Sequence, residues 1–150
     1  ATAFLRRARR LLQDDGALIL GVDLRKDPQR LHDAYNDSAG VTAQFTLNLL
    51  RRMNRELDAN FDLSAFAHQA FYNPDEGRIE IYFRSLRLQT VSVAGRRFSF
   101  AAGERVHTEY SYKYDGAGIA ALAESGGFAI GKTWTDPEHL FAVAWLQAVA

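Results

Sequence analysis

The 150 residues carry 18 Lys+Arg against 18 Asp+Glu, so no net field draws in nucleic acid, and 47% hydrophobic with 24% charged residues is the balance of a chain that folds around a core. Cysteine is absent, which excludes disulfides, thiolate metal ligands and cysteine nucleophiles together. No apolar run approaches the roughly 18 residues of a membrane span and no apolar signal opens the chain, so a cytoplasmic protein with no membrane partner is expected.

Thr2 to Gln13 reads as an amphipathic helix, with Phe4, Leu5, Ala8, Leu11 and Leu12 on its apolar stripe. Arg6, Arg7, Arg9 and Arg10 then form a solvated face and not a nucleic-acid patch. The turn Asp14-Asp15-Gly16 ends the helix, its glycine suited to a C-cap. Ala17 to Val22 is apolar throughout, the pattern of a central parallel strand covered on both faces. Asp27 stands where it can cap a helix that has Pro28 in its first turn. Helices are predicted over Gln29 to Asn36 and Val41 to Leu57, parted by Asp37-Ser38-Ala39-Gly40. The second has Phe45, Leu47, Leu49, Leu50 and Met53 on its apolar face.

From about Phe66 the period becomes two. Ala67 to Tyr72, Arg78 to Arg84, Thr90 to Val93, Arg97 to Phe100 and Val106 to Tyr114 alternate and are separated by turn residues, which predicts an antiparallel meander of five strands. A helix from Gly118 to Glu124 follows, then strands Phe128 to Thr135 and Leu140 to Leu146, joined too closely for a crossover helix. A parallel strand, a long insertion, then helix, strand, strand looks like the end of a class I methyltransferase sheet, whose last strand is reversed. The fold class is thus α/β, with an inserted α+β meander. The boundaries are 1–25 and 115–150 for the sheet domain and 26–114 for the insertion.

The chemistry of the chain concentrates in Val106 to Tyr114. Alternation puts His107, Glu109, Ser111 and Lys113 on one face and Thr108, Tyr110, Tyr112 and Tyr114 on the other. The plain reading is an edge strand with its polar face in water and its aromatics on the core. The sharper one is that Glu109 and Ser111 grip the two nitrogens of an imidazole, carboxylate and hydroxyl supplying an acceptor and an adaptable partner. His32, His68, His107 and His139 lack metal-ligand spacing and read as surface or strand-end residues, so no metal is expected. Asp23, just past the first strand, faces a ligand or caps a turn. Gly116-Ala117-Gly118 matches a dinucleotide fingerprint only in part, and reads as a helix lead-in.

Gly21 to Asp27, Ala34-Tyr35-Asn36-Asp37 with Ala39 to Phe45, Arg78-Ile79-Glu80, and His107 to Tyr114, in that order, closely resemble the histidine-specific methyltransferase family. That family makes the Nα-trimethyl betaine of L-histidine, the first step of ergothioneine biosynthesis. By this resemblance the protein is an S-adenosyl-L-methionine-dependent enzyme acting on a small-molecule substrate. Glu109 and Ser111 match the pair that holds the imidazole, and Tyr35 matches a tyrosine at the substrate's carboxylate end. Thr42, Phe45 and Ile81 match positions lining the pocket, although Phe45 and Ile81 also suit a core and Thr42 a helix surface. No catalytic side chain is implied, because methyl transfer to an amine needs orientation more than covalent help. Where the family commonly has asparagine, directly after the Phe45 position, this chain has Thr46. The family's cofactor glycines have no counterpart here, so the chain is expected to be the C-terminal half of a longer enzyme and inactive alone. Two other readings stay open: a non-catalytic amino-acid-binding or interaction module, and a family member acting on another amino acid.

Overall fold

Carboxylate side chains cap the later helices of this chain and mark where they begin. The computed structural model describes residues 1–12 and 15–149. In chain order it contains α1 (Thr2–Leu11), β1 (Ala17–Asp23), α2 (Pro28–Tyr35), α3 (Val41–Glu56), β2 (Phe66–Asn73), β3 (Arg78–Ser85), β4 (Gln89–Val93), β5 (Arg96–Phe100), β6 (Arg105–Tyr112), α4 (Gly116–Ser125), β7 (Phe128–Thr135) and β8 (Phe141–Ala148). The Asp27 carboxylate accepts the Arg30 amide at 2.9 Å, with Pro28 in the first turn of α2 as expected. Asp37 accepts the amides of Thr42 at 2.9 Å and Val41 at 2.7 Å, and these bonds hold its carboxyl below the ordinary range. Gly40 supplies the φ of 69° that the link between α2 and α3 requires. The expected end of the first helix at Gln13, and Asp14 of the turn after it, lie outside the described residues. The C-cap of α1 is Leu12, not Gly16, whose carbonyl instead accepts the Ala148 amide at 2.9 Å. Among the described residues no helix is long and apolar enough to cross a membrane.

The chain divides into two compact units, Ala1–Lys26 with Tyr112–Ala150, and Asp27–Ser111. In the first, the strand order is β1-β8-β7, and β8 runs antiparallel to both neighbours. β1 and β7 are therefore parallel to each other across a reversed strand. α1 and α4 cover one face, burying Leu5, Val22, Ile119, Ala123, Phe128, Ala142, Ala144 and Leu146. Two expectations for β1 are corrected here. Among the described residues it pairs with β8 alone, antiparallel and not parallel, and its second face carries Ile19, 61% exposed and opposite the half-open Trp145. An unbroken apolar run reports a preference for burial, whereas the faces that become covered depend on what packs there.

α1 approaches the end of α4 so closely that a Cβ on Gly126 would lie 2.5 Å from the Leu5 Cβ. Leu5 is 1% exposed and has no room to yield. Gly126→Ala is expected to lower the unfolding free energy by about 1–3 kcal/mol through overpacking, readable by urea denaturation.

In the second unit α2 and α3 pack against β2. Leu31 of α2 joins Ala70, Ile79 and Ile81 in one buried cluster, and Leu50 of α3 joins Phe61, Ala65, Phe66, Phe83 and Val91 in another. All five predicted strands form, but not as one meander: β2-β3-β6 is one sheet and β4-β5 a separate hairpin. The reason lies at Ser85, fully buried at the end of β3. Its amide donates to Glu104 at 2.8 Å, its carbonyl accepts the Gly103 amide at 2.8 Å, and its hydroxyl donates to the Arg87 carbonyl at 2.8 Å. These bonds turn the chain away and bring the approach to β6 beside β3. On α3 the expected apolar face is also corrected, because Phe45 is 74% and Leu49 45% exposed while Thr46 is buried in their place.

Candidate amino-acid site

Tyr35 ends α2, and its carbonyl and hydroxyl are both engaged. His68 Nε2 of β2 lies 2.9 Å from the carbonyl oxygen, and Ser111 Oγ of β6 lies 2.8 Å from the hydroxyl. Two residues 76 apart in sequence thus meet. Glu109, two residues before Ser111 on the same strand, is exposed and lines an open groove of about 240 Å³ with Phe45, Thr46, Asn48, Leu49, Arg52 and Thr108. An exposed carboxylate on β6, with a hydroxyl pair formed by Ser111 of the same strand and Tyr35 of α2, can hold a polar heterocycle and a charged end group.

The other expected positions are used differently. Ile81 is 4% exposed within the Leu31, Ala70, Ile79 cluster and belongs to the core; its carbonyl accepts the Thr108 hydroxyl at 2.9 Å, which ties β6 to β3 beside Glu109. The Thr42 hydroxyl donates to the Ala34 carbonyl at 3.3 Å, joining the two helices. Thr46 turns its hydroxyl back onto the Thr42 carbonyl at 3.0 Å, so nothing polar projects from the position where the family commonly has asparagine.

Strict alternation along β6 fails at both ends. The His107 ring sits 3.8 Å from that of Tyr110 and 5.4 Å from that of Tyr82, not beside Glu109. Tyr110 and Tyr112 are 40% and 44% exposed, so the aromatics do not form the expected core face. Tyr110 lies beneath the Arg78 guanidinium at 3.7 Å, and Arg78 in turn grips Glu80. Glu80 is buried and accepts from Tyr82 at 2.6 Å, from Arg78 and from Asn73, which holds its carboxyl below the usual range against the effect of desolvation. The same bond, with desolvation adding to it, pushes the Tyr82 hydroxyl up to about 12. Arg78-Ile79-Glu80 therefore builds the sheet and does not line the groove.

In the first unit Lys113, expected on a solvated strand face, is wholly enclosed: its side chain is 0% exposed and its ammonium lies 2.7 Å from Asp23. Lys26 also donates to Asp23. Burial pushes the Asp23 carboxyl up, but the hydrogen bonds and charges of Lys113 and Lys26 outweigh it and hold the group below its ordinary value. Asp23 is thus engaged in an ion cluster, neither capping a turn nor open to a ligand. Gly116 and Gly118 open α4, and the Gly118 amide donates to Asp115 at 2.7 Å, so this turn is a capped helix start. His68 and Lys113 are among the polar residues whose place sequence reasoning missed. Neither leaves a signal in a period-two pattern, which records side-chain direction but not partners.

The family model described as "Histidine-specific methyltransferase, SAM-dependent" matches residues 1–148. A histidine N-alpha-methyltransferase of Mycolicibacterium smegmatis is 45% identical over 135 residues, which cover 89% of this chain and 42% of that protein. A histidine N-alpha-methyltransferase of Mycobacterium tuberculosis is 41% identical over 143 residues, 94% of this chain and 44% of that protein. Ergothioneine biosynthesis protein 1 of Neurospora crassa is 27% identical over 138 residues, 90% of this chain and 15% of that protein. The chain thus spans less than half the length of the curated relatives it matches. A match along almost every residue joins the four spaced motifs and the reversed-strand sheet in one conclusion: the chain belongs to the histidine-specific, S-adenosylmethionine-dependent methyltransferase family.

Proposed function

We propose that this chain is the amino-acid-binding part of an S-adenosyl-L-methionine-dependent N-methyltransferase that converts L-histidine to its Nα-trimethyl betaine, hercynine, in ergothioneine biosynthesis. The observation that carries the reading is the 2.8 Å contact between the Tyr35 hydroxyl and Ser111 Oγ, with Glu109 next on the same strand face. Two relatives named for histidine N-alpha-methylation support the substrate.

Glu109 accepts one imidazole N–H, and the Ser111 hydroxyl is the partner of the second ring nitrogen. Tyr35, whose hydroxyl meets Ser111 Oγ, is the residue that meets the substrate carboxylate. With ring and carboxylate both fixed, the α-amino group between them is oriented, which is most of what methyl transfer asks of a protein. The one glycine turn that resembles a cofactor fingerprint is taken up by the Asp115 cap, which supports a cofactor held mainly by a part of the enzyme outside this chain. The test is mass-spectrometric detection of successive methyl additions to histidine by the full-length enzyme with S-adenosylmethionine, beside the 150-residue chain alone. Activity is expected only from the full-length enzyme, and the chain alone is expected not to take up the cofactor in calorimetry. Micromolar cofactor binding by the chain, or no methylation of histidine by the full-length enzyme, overturns the reading.

A further inference from the structure

We propose that His68 is a positioning residue for Tyr35, and through it for the carboxylate end of the substrate; the inference rests on the role of Tyr35 given above. His68 lies half-buried within β2, where its Nε2 is 2.9 Å from the Tyr35 carbonyl oxygen. A carbonyl oxygen only accepts, so Nε2 carries the proton and donates it. Tyr35 is the last residue of α2, at the end of a helix where carbonyls have no partner within the helix. The Asn36 side chain adds a second tie to the same strand, donating to the Ala70 carbonyl at 3.2 Å. The backbone that carries the tyrosine ring is thereby fastened to the sheet, while its hydroxyl meets Ser111 at 2.8 Å.

Packing alone does not account for a histidine at this place. Its Nδ1 is buried and, among the described residues, has no hydrogen-bond partner, a desolvation that leucine or phenylalanine would avoid. What histidine adds is one directed donor that reaches the helix end. Without that donor the end of α2 loses a directed tie to β2, and the tyrosine, still packed beside the Leu31 cluster, presents its hydroxyl to the carboxylate less often. The consequence is weaker substrate binding with unchanged chemistry.

The experiment is steady-state kinetics of the full-length enzyme with His68→Leu, His68→Gln and Tyr35→Phe. His68→Leu is expected to raise KM for histidine roughly five- to tenfold, leaving kcat and KM for S-adenosylmethionine within about twofold. His68→Gln, whose amide N–H has a comparable reach, should restore most of that loss. A histidine KM unchanged in His68→Leu but raised in Tyr35→Phe overturns the role of His68 alone. An unchanged KM in Tyr35→Phe overturns the reading of Tyr35, and this inference with it. Should the leucine variant fail to fold, His68→Asn, too short to reach the carbonyl, reads the same split: a raised KM supports the role and a wild-type KM overturns it.

Discussion

Asp23→Ala is expected to lower the unfolding free energy of this protein by about 3–5 kcal/mol, the largest loss from any single substitution considered, because it strips a carboxylate from a buried ammonium. The Lys113 side chain is 0% exposed and Asp23 29%, so the ammonium would keep its burial while losing the charge that faces it. Lys26, which shares the same carboxylate, would also lose it, and two cations would then lie close together without their common anion. Asp23→Asn should fall nearly as far, since the amide keeps the shape but not the charge. The pair also sets an acid limit. The folded carboxyl lies below the ordinary aspartate value, so its contribution is fully present above that value and is lost as pH falls through the lower folded value. Urea unfolding of wild type and Asp23→Asn from about pH 7 to about pH 2 checks both points: the two curves should converge at the acid end. A variant within about 1 kcal/mol of wild type at neutral pH would show that the ion cluster is dispensable.

Glu109→Ala in the full-length enzyme is expected to cut kcat/KM for histidine roughly ten- to a hundredfold, the equivalent of a charge-assisted hydrogen bond of about 1.5–3 kcal/mol. Tryptophan, with one N–H on a larger ring and no second ring nitrogen, meets the carboxylate and the Ser111 hydroxyl less completely when it fills the same place. Its relative efficiency should therefore rise in the variant. Ser111→Ala should lower histidine turnover less, because a neutral hydroxyl bond is nearer about 1 kcal/mol. The structure adds a qualification for this second variant. Ser111 also meets the Tyr35 hydroxyl, so its loss should weaken tryptophan too, through the carboxylate end the two substrates share. The measurement is kcat/KM for histidine and tryptophan in wild type and both variants. Equal losses for both substrates in Glu109→Ala would mean that the residue supports β6 and does not read the ring.

The sequence by itself determined the local elements and narrowed the arrangement of the last two strands. Asp27 and Pro28 name the start of α2, the alternation from Phe66 onward marks five strands, and the short link after Thr135 leaves β7 and β8 either to pair antiparallel, as they do, or to sit apart with a bend. These are short-range rules, set by dihedral preferences, caps and side-chain period, so neighbours in the chain suffice to read them. Only the tertiary structure decided which strands pair, which apolar faces are covered and which polar groups meet. The alternation of β4 and β5 is the same whether they extend the sheet or form a hairpin, and the apolar run of β1 is the same with one face covered or two. Lys113 and Glu109 look alike in a period-two strand, yet one is sealed against Asp23 and the other lines an open groove. Tyr35, His68 and Ser111 are joined by contacts spanning 33 and 76 residues, and no local pattern encodes such a contact, because its energy comes from partners that only the folded chain brings within hydrogen-bond reach.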